Sequence, residues 1–410
     1  MHFNFLSTDK GYSTLGLILF KHENPIISLV FLYLVQANFS LCFSIYFNTY
    51  IKMNIYNFSA GPACLPDPVL IAAGEAAKEY QNSGMSILEM SHRSEAIVSL
   101  FEETTENLRS LLSIPTNYHV LWFQGGASTQ FSMIPLNLLP ERGSADYIET
   151  GSWSSKAITE CNKIGTANVI GSSKESTYSY IPKDIKQNND SSYLHITSNN
   201  TIYGTQYKVV PKVENPEVFL VADMSSDILS KPIDVSDFGL IYAGAQKNMG
   251  PAGVTLVIIR DDLVGKNYRE LPTMLNYETH VKKESMFNTP PVFSVFVVNE
   301  TLKWLQNLGG LGTMAAINER KAGKLYTEIE RNPLFKSPIV EEDRSLMNVP
   351  FIFSQDGLDD NNFLQFCDAR GLKTLKGHRS VGGFRASIYN AMLEEGVDTL
   401  IEAMQDYKNS

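Results

Sequence analysis

From about Val120 to Arg260 the chain alternates short, almost wholly apolar runs with polar or glycine-rich turns that lead into helical or loop segments. The runs are Val120–Phe123, Tyr147–Thr150, Tyr193–Thr197, Val218–Ala222, Leu240–Ala243 and Val254–Ile259. A strand with one face in water alternates apolar and polar positions, whereas these runs are apolar nearly throughout. They therefore predict an α/β fold with a mostly parallel sheet sandwiched by helices. Helical spacing flanks the runs at Pro68–Asn82, Ser94–Leu112 and Pro290–Leu308. Gly309-Gly-Leu-Gly312 is a hinge signal, and Thr313–Arg331 beyond it reads as a long helix. The remainder, to Ser410, mixes strand and helix patterns, as a smaller C-terminal α+β domain would. The expected division is a large domain over residues 53–310, with an N-terminal arm, and a small domain over 311–410. No internal repeat interrupts this plan.

Residues 1–52 do not continue the pattern. Between Pro25 and Ile51 there is no charged residue, and Phe, Tyr, Ile, Leu, Ser and Asn dominate. A membrane anchor is one reading, because about 20 apolar residues span a bilayer. A signal peptide is another, but no short apolar core followed by a small-residue cleavage site stands out. The third takes Met53 as the start of the functional chain, since AT-rich non-coding DNA would encode residues of this kind. A coherent domain begins at once with Asn54-Ile-Tyr-Asn-Phe-Ser59, so the third reading is preferred and the extension carries no function.

The 410 residues suffice for a large domain with a satellite. With 43% hydrophobic and 19% charged residues the composition is that of an ordinary globular protein. A net charge of −10 without a basic run gives nucleic acid nothing to bind. The four cysteines, Cys42, Cys64, Cys161 and Cys367, form no Cys-x-x-Cys, and the histidines show no metal-ligand spacing. No metal site and no disulfide framework are expected, and a reducing cytoplasm suits the chain.

Ligands of open parallel sheets bind beyond the carboxyl ends of the strands. The unusual polar residues of this chain fall there. Lys247 follows one run, in Ala243-Gly-Ala-Gln-Lys-Asn-Met-Gly-Pro-Ala-Gly253, and Asp223 ends another, in Val218-Phe-Leu-Val-Ala-Asp223. A lysine able to form a Schiff base and an aspartate able to hold a pyridinium nitrogen are what a pyridoxal phosphate enzyme needs from its protein. Alone, Asp223 would pass for a helix N-cap and Lys247 for a surface residue in a turn. Gln124-Gly-Gly-Ala-Ser-Thr-Gln130 follows a third run, where glycines and a helix start could receive an anion. An ordinary glycine turn explains it as well. Trp153, in Gly151-Ser-Trp153, could stack on a flat ring or pack in the core. Thr201, in Ser198-Asn-Asn-Thr-Ile-Tyr-Gly204, could donate to a ring oxygen or sit in a solvated turn. Two clusters suit an anionic substrate, Ser91-His-Arg93 and Gly377-His-Arg-Ser-Val-Gly-Gly-Phe-Arg385, because arginine pairs bidentately with carboxylates and phosphates. Salt bridges on a solvated face are the competing account.

From Asn54 to about Lys408 the chain resembles the phosphoserine aminotransferases, fold-type I pyridoxal phosphate enzymes of the class V aminotransferase group. The resemblance rests on Asn57-Phe-Ser-Ala-Gly-Pro62, the Lys247 segment, Phe287-Asn-Thr-Pro-Pro291 and Gly377-His-Arg-Ser-Val-Gly-Gly-Phe-Arg-Ala-Ser387. The last two separate it from cysteine desulfurases and serine–glyoxylate aminotransferases. It implies that pyridoxal 5′-phosphate is held by Lys247, which also shuttles a proton between Cα and C4′. Asp223 would bind the pyridine nitrogen, Trp153 would stack on the ring, and Thr201 would bond near the ring oxygen. Ala127, Ser128 and Gln246 would hold the cofactor phosphate, while Asn288 and Thr289 would reach that of a neighbouring subunit, making a homodimer part of the site. Arg385 would take the substrate α-carboxylate, and His92, Arg93, His378 and Arg379 the distal anion. Ser128 stands where some relatives have arginine, and Tyr203 where many have an acidic residue.

The implied reaction is transamination between L-glutamate and 3-phosphohydroxypyruvate in a ping-pong cycle, with a second role on a phosphorylated hydroxythreonine in pyridoxine biosynthesis. A desulfurase would need a mobile cysteine, yet Cys367 lies in the apolar pattern Phe363-Leu-Gln-Phe-Cys367 and reads as core. A membrane-tethered or non-catalytic binding protein would not need Lys247 and Asp223 together.

Overall fold

The structure is a computed structural model in which residues 54–266 and 268–407 are described. The expectations for residues 1–52 lie outside the described residues. The described chain opens with a two-residue strand, β1 (Tyr56–Asn57), and two helices, α1 (Asp67–Lys78) and α2 (Glu95–Leu112). Pro68 sits in the first turn of α1, where its missing N–H removes no helical bond. Helix α2 is amphipathic, and Ile97, Leu100, Phe101, Thr104, Leu108 and Leu112 form its buried stripe.

Seven strands then form the main sheet: β2 (Tyr118–Phe123), β3 (Ser144–Glu149), β4 (Thr166–Ser172), β5 (Ser191–Thr197), β6 (Phe219–Asp223), β7 (Leu240–Gly244) and β8 (Thr255–Arg260). Their order is β2-β8-β7-β6-β5-β3-β4. Pairs among β4, β3, β5, β6 and β7 are parallel, and only β8 runs against its neighbours β7 and β2. The mostly parallel sheet is thus as the apolar runs predict, with one strand that they do not. Strand β4 is a sheet edge with no fully buried residue, so Thr-Ala-Asn-Val-Ile-Gly-Ser lacks an apolar run.

The strands are apolar throughout because both faces are covered. One face, with Leu194, Ile196, Leu220, Ala222, Ile241, Ala243, Leu256 and Ile258, packs against α1, α2 and a later helix α6 (Val292–Asn307). The other carries Tyr147, Tyr193, Val221, Leu240, Tyr242, Val257 and Ile259. It packs against α3 (Gly126–Leu138) and α4 (Ser152–Cys161), and a short α5 (Tyr277–Lys282) adds Tyr277.

A turn at Gly309 and Gly310 joins α6 to α7 (Gly310–Arg331), so the long helix begins within the glycine cluster and not after it. Beyond it β12 (Phe384–Ser387), β10 (Asn348–Phe353) and β9 (Phe335–Lys336) form a small antiparallel sheet. Helices α8 (Asp360–Asp368) and α9 (Glu394–Asp406) cover it around Phe351, Phe363, Phe384, Val397 and Leu400. Cys367 is wholly buried in this core, and burial pushes its thiol up to about 12, which leaves it inert. The N-terminal strand β1 pairs in parallel with β11 (Leu372–Lys373), so the arm joins the last part of the chain.

Lys321 of α7 is 0% exposed, and its Nζ donates to three backbone carbonyls, those of Ile388 (3.1 Å), Tyr389 (2.8 Å) and Met392 (3.0 Å). These acceptors belong to the turn that follows β12. A lysine is rarely wholly buried unless it is paired, and here the carbonyl oxygens replace its water shell. Lys321→Met keeps much of the volume and leaves these acceptors unpaired. It is expected to lower stability by about 2–4 kcal/mol, read from the midpoint of urea unfolding at unchanged slope.

Candidate active site

The polar residues after the main strands converge at one edge of the sheet. Strand β2 ends in Gln124 and Gly125, and Gly125 (φ +91°) is the N-cap of α3. A Cβ there would lie 2.2 Å from Thr129 Oγ1, so the close approach requires glycine. Thr129 donates back to the Gly125 carbonyl at 2.9 Å, and no side chain caps the helix start. The N–H groups beside half-buried Ala127 and exposed Ser128 are thus available to an anion. After β3, the Ser154 hydroxyl accepts from Thr150 N (3.0 Å) and Gly151 N (3.1 Å), fixing the turn that presents Trp153. After β5, Asn200 Nδ2 donates to Thr150 Oγ1 and Thr205 Oγ1, both at 3.0 Å, which ties the Thr201 turn to the β3 end.

Asp223 closes β6 and is 5% exposed; one carboxylate oxygen accepts from Ser225 N at 2.9 Å. Lys247 follows β7, with Nζ donating to Thr201 Oγ1 at 2.7 Å and lying 5.1 Å from the centroid of the Trp153 ring. Burial, with Arg385 adding to it and Asp223 opposing it, brings the amine down to about 8. Gly61 (φ +136°) passes over this lysine, and a Cβ there would meet Lys247 Cγ at 3.1 Å. Gln246 O accepts from Ala63 N at 2.9 Å, so the Ser59-Ala-Gly-Pro62 segment lies along the Lys247 turn.

Arg385 enters from β12, and its Nη1 donates to the Thr201 carbonyl at 3.3 Å. His378 Nδ1 lies 2.7 Å from Ser380 Oγ. Partial burial and then the charges of Arg385, Arg379 and Lys156 hold its imidazole below the ordinary range. The structure therefore joins Lys247, Thr201, Trp153, Asp223, Arg385, His378 and Arg379 in one neighbourhood. Lys156, whose Nζ stands 4.4 Å from the Trp153 ring centroid, belongs to it and was not foreseen. Nor was Tyr389, whose hydroxyl donates to Ala60 O at 2.8 Å. Both lack a motif and become visible only through packing. The Tyr203 hydroxyl pairs with Ser152 Oγ at 3.0 Å.

Two predicted groups make no hydrogen bond or ion pair with Lys247 among the described residues. Asn288 and Thr289 adjoin the start of α3: Gln124 Nε2 donates to Thr289 O at 3.2 Å, and Asn288 shares a cavity of about 200 Å3 with Gly125 and Thr129. His92 and Arg93 lie in the turn before α2, and no hydrogen bond or ion pair among the described residues joins them to Lys247 or Arg385.

Several buried polar atoms here have no partner among the described residues: Trp153 Nε1, Thr197 Oγ1, Thr255 Oγ1 and Arg385 Nε. Buried polar atoms are normally paired, so unpaired ones at a sheet edge mark the place of a polar guest. A second carboxylate oxygen on Asp223 and the amine of Lys247 complete a set that fits a pyridine ring bearing an aldehyde and a phosphate. Among the described residues no cluster of metal ligands occurs, and no helix is long and apolar enough to cross a membrane.

Comparison with known proteins agrees with this geometry. Residues 55–400 match the family described as aminotransferase class-V. The phosphoserine aminotransferase of Bacillus cereus is 52% identical over 356 residues, covering 86% of this chain and 98% of that protein. The solved phosphoserine aminotransferase of Bacillus circulans subsp. alkalophilus is 46% identical with a TM-score of 0.83, covering 86% of this chain and 98% of that one. A structure of phosphoserine aminotransferase from Trichomonas vaginalis with bound pyridoxal phosphate is 42% identical with a TM-score of 0.82, covering 86% and 100%. The chain belongs to the class-V aminotransferases and, among them, to the phosphoserine aminotransferase family.

Proposed function

We propose that this enzyme moves the amino group of L-glutamate to 3-phosphohydroxypyruvate, giving 2-oxoglutarate and O-phospho-L-serine in a ping-pong cycle. Its cofactor is pyridoxal 5′-phosphate, which supplies a cationic ring that draws electrons from the bond broken at the substrate Cα. The observation that carries the reading is Lys247, fixed by Thr201 at 2.7 Å and 5.1 Å from the Trp153 ring, with Asp223 on the adjacent strand.

Each residue then has a task that its surroundings support. Lys247 holds the cofactor and takes the proton from the substrate Cα, for which an amine lowered to about 8 is far better placed than an ordinary lysine. Thr201 orients that amine. Asp223 keeps the ring nitrogen protonated, and Trp153 covers the ring face. Ala127, Ser128 and Gln246 hold the cofactor phosphate, with the uncapped start of α3 supplying N–H donors. Asn288 and Thr289 serve the phosphate of a neighbouring subunit's cofactor, which makes a homodimer the working form. Arg385 takes the substrate α-carboxylate, and His92, Arg93, His378 and Arg379 take the distal anion. That site must accept the glutamate γ-carboxylate in one half of the cycle and a phosphate in the other, a demand suited to several separate cations. The same requirement admits 4-phosphohydroxy-L-threonine, and so a second role in pyridoxine biosynthesis. The site lies between a large domain ending near Gly309 and a smaller C-terminal one, in a cytoplasmic protein.

The test is a half-reaction on cofactor-loaded protein. Glutamate should abolish the visible cofactor band and 3-phosphohydroxypyruvate should restore it. Restoration by some other 2-oxo acid alone would sink the substrate pair and leave the transaminase. In the same assay Arg385→Leu should cut kcat/KM for glutamate by about a hundredfold or more, through loss of a carboxylate pair.

Lys247 also sets a pH dependence. An amine with a folded pKa of about 8 is protonated below that value and nucleophilic above it. Cofactor uptake by the apoprotein, followed by stopped-flow absorbance, should quicken as pH rises and level off beyond about 8. Arg385 helps to hold the amine down, so Arg385→Leu should move that midpoint to higher pH.

A further inference from the structure

Behind Asp223 lies a buried polar chain to which the catalytic reading gives no role. Asp223 of β6 is in register with Tyr242 of β7 and with Thr197 of β5, so these side chains emerge on one face of the sheet. His195, two positions earlier on β5, shares that face, and its Nε2 lies 2.9 Å from the Tyr242 hydroxyl. Burial first and then the neighbouring Asp223 carboxylate push the Tyr242 hydroxyl well above its ordinary pKa. The Tyr147 ring stacks on the imidazole, with centroids 4.8 Å apart and an interplanar angle of 25°. His195 and Tyr242 are 2% and 0% exposed.

The donors along this chain have one consistent assignment. Asp223, the register partner of Tyr242 on the same face, is the acceptor placed for the Tyr242 O–H. The Tyr242 oxygen is then the acceptor for His195, which must carry its proton on Nε2. A neutral imidazole has a single N–H, so Nδ1 is bare, and Nδ1 is the ring nitrogen that finds no partner. Burial brings the imidazole down to about 3, so it stays neutral at working pH. Hydrogen bonds donated to a carboxylate favour its ionised form. Facing a protonated ring nitrogen, that preference keeps the shared proton on the ring, where it is needed for catalysis.

We infer that Tyr242 and His195 are positioning residues for the reaction, holding the Asp223 carboxylate aimed at the cofactor's ring nitrogen through a one-way chain from His195 Nε2–H to Tyr242 O–H to the carboxylate. The inference rests on the assignment of Asp223 to the ring nitrogen proposed above. Tyr242→Phe should lower kcat by roughly ten- to a hundredfold, the weight of one hydrogen bond to a charged group, with KM for both substrates nearly unchanged. It should also alter the absorption spectrum of the bound cofactor, which a structural role would leave alone. His195→Gln, with an amide N–H able to stand in for Nε2–H, should retain most activity and the spectrum, whereas His195→Leu should follow Tyr242→Phe. In nitrogen-15 histidine spectra, with or without cofactor, His195 should appear as the Nε2–H tautomer and not titrate between about pH 5 and 9. That tautomer reading and the histidine variants serve even where Tyr242→Phe does not fold. An Nδ1–H tautomer, or a folded, cofactor-loaded Tyr242→Phe with wild-type kcat and spectrum, would overturn this inference alone. A wild-type protein that takes up no cofactor would overturn the functional reading and this inference with it.

Discussion

A primary amine withdrawn from water at the end of a covered strand is the constraint around which the site is arranged. Lys247 needs a neighbour that accepts its hydrogen bond, and Thr201 provides it at 2.7 Å. Burial lowers the amine, Arg385 lowers it further, and Asp223 limits the fall. These influences come from different parts of the chain: β6 supplies Asp223, the turn after β5 supplies Thr201, and the small C-terminal sheet supplies Arg385. Placing one lysine therefore requires the main sheet, its turns and the C-terminal segment to be in register together.

The parallel sheet makes that economical. Because β3, β5, β6 and β7 run the same way, their last residues lie along one edge, and each turn can contribute a different chemical group. The turns are then locked to one another by side chains. Asn200 joins the β3 and β5 ends, and Ser225 Oγ accepts from Gly244 N at 3.0 Å to join the β6 and β7 ends. A shift of one turn would have to break bonds held by its neighbours, which is the rigidity that positioning of a reacting group demands.

Much of this was legible in the sequence, for a definite reason. Strands covered on both faces must be apolar at every position, so β2, β3, β5, β6, β7 and β8 announced themselves, and Asp223 and Lys247 stood out against them. Strand β4 escaped because none of its residues is fully buried and so none had to be apolar, and the reversal of β8 left no mark on its composition. The start of α7 was misplaced because glycines that favour a turn can still occupy its first helical positions. In the candidate site, residues within motifs were legible in the sequence and contact residues were not. Lys156, Tyr389, Tyr242 and His195 carry no sequence signal, since the reason for each is a neighbour distant in the chain. His195 and Tyr242 look like ordinary core residues until register places them beside Asp223.

The N-terminal arm shows how the C-terminal segment is made part of the site. Strand β1 pairs with β11, and Phe58 is buried in the C-terminal core. The chain then turns so that Gly61 lies over Lys247, where a Cβ would crowd Lys247 Cγ at 3.1 Å and φ of +136° favours glycine. Tyr389 fastens this crossing by its bond to Ala60 O, and Asn390 N donates to Asn248 Oδ1 at 2.9 Å, next to Lys247. Both residues belong to the turn that buried Lys321 holds through its carbonyls. A buried lysine with no catalytic contact thus sets the backbone from which Tyr389 and Asn390 grip the Lys247 turn. Loosening it would be felt at the amine, because the groups that position Lys247 share one bonded frame.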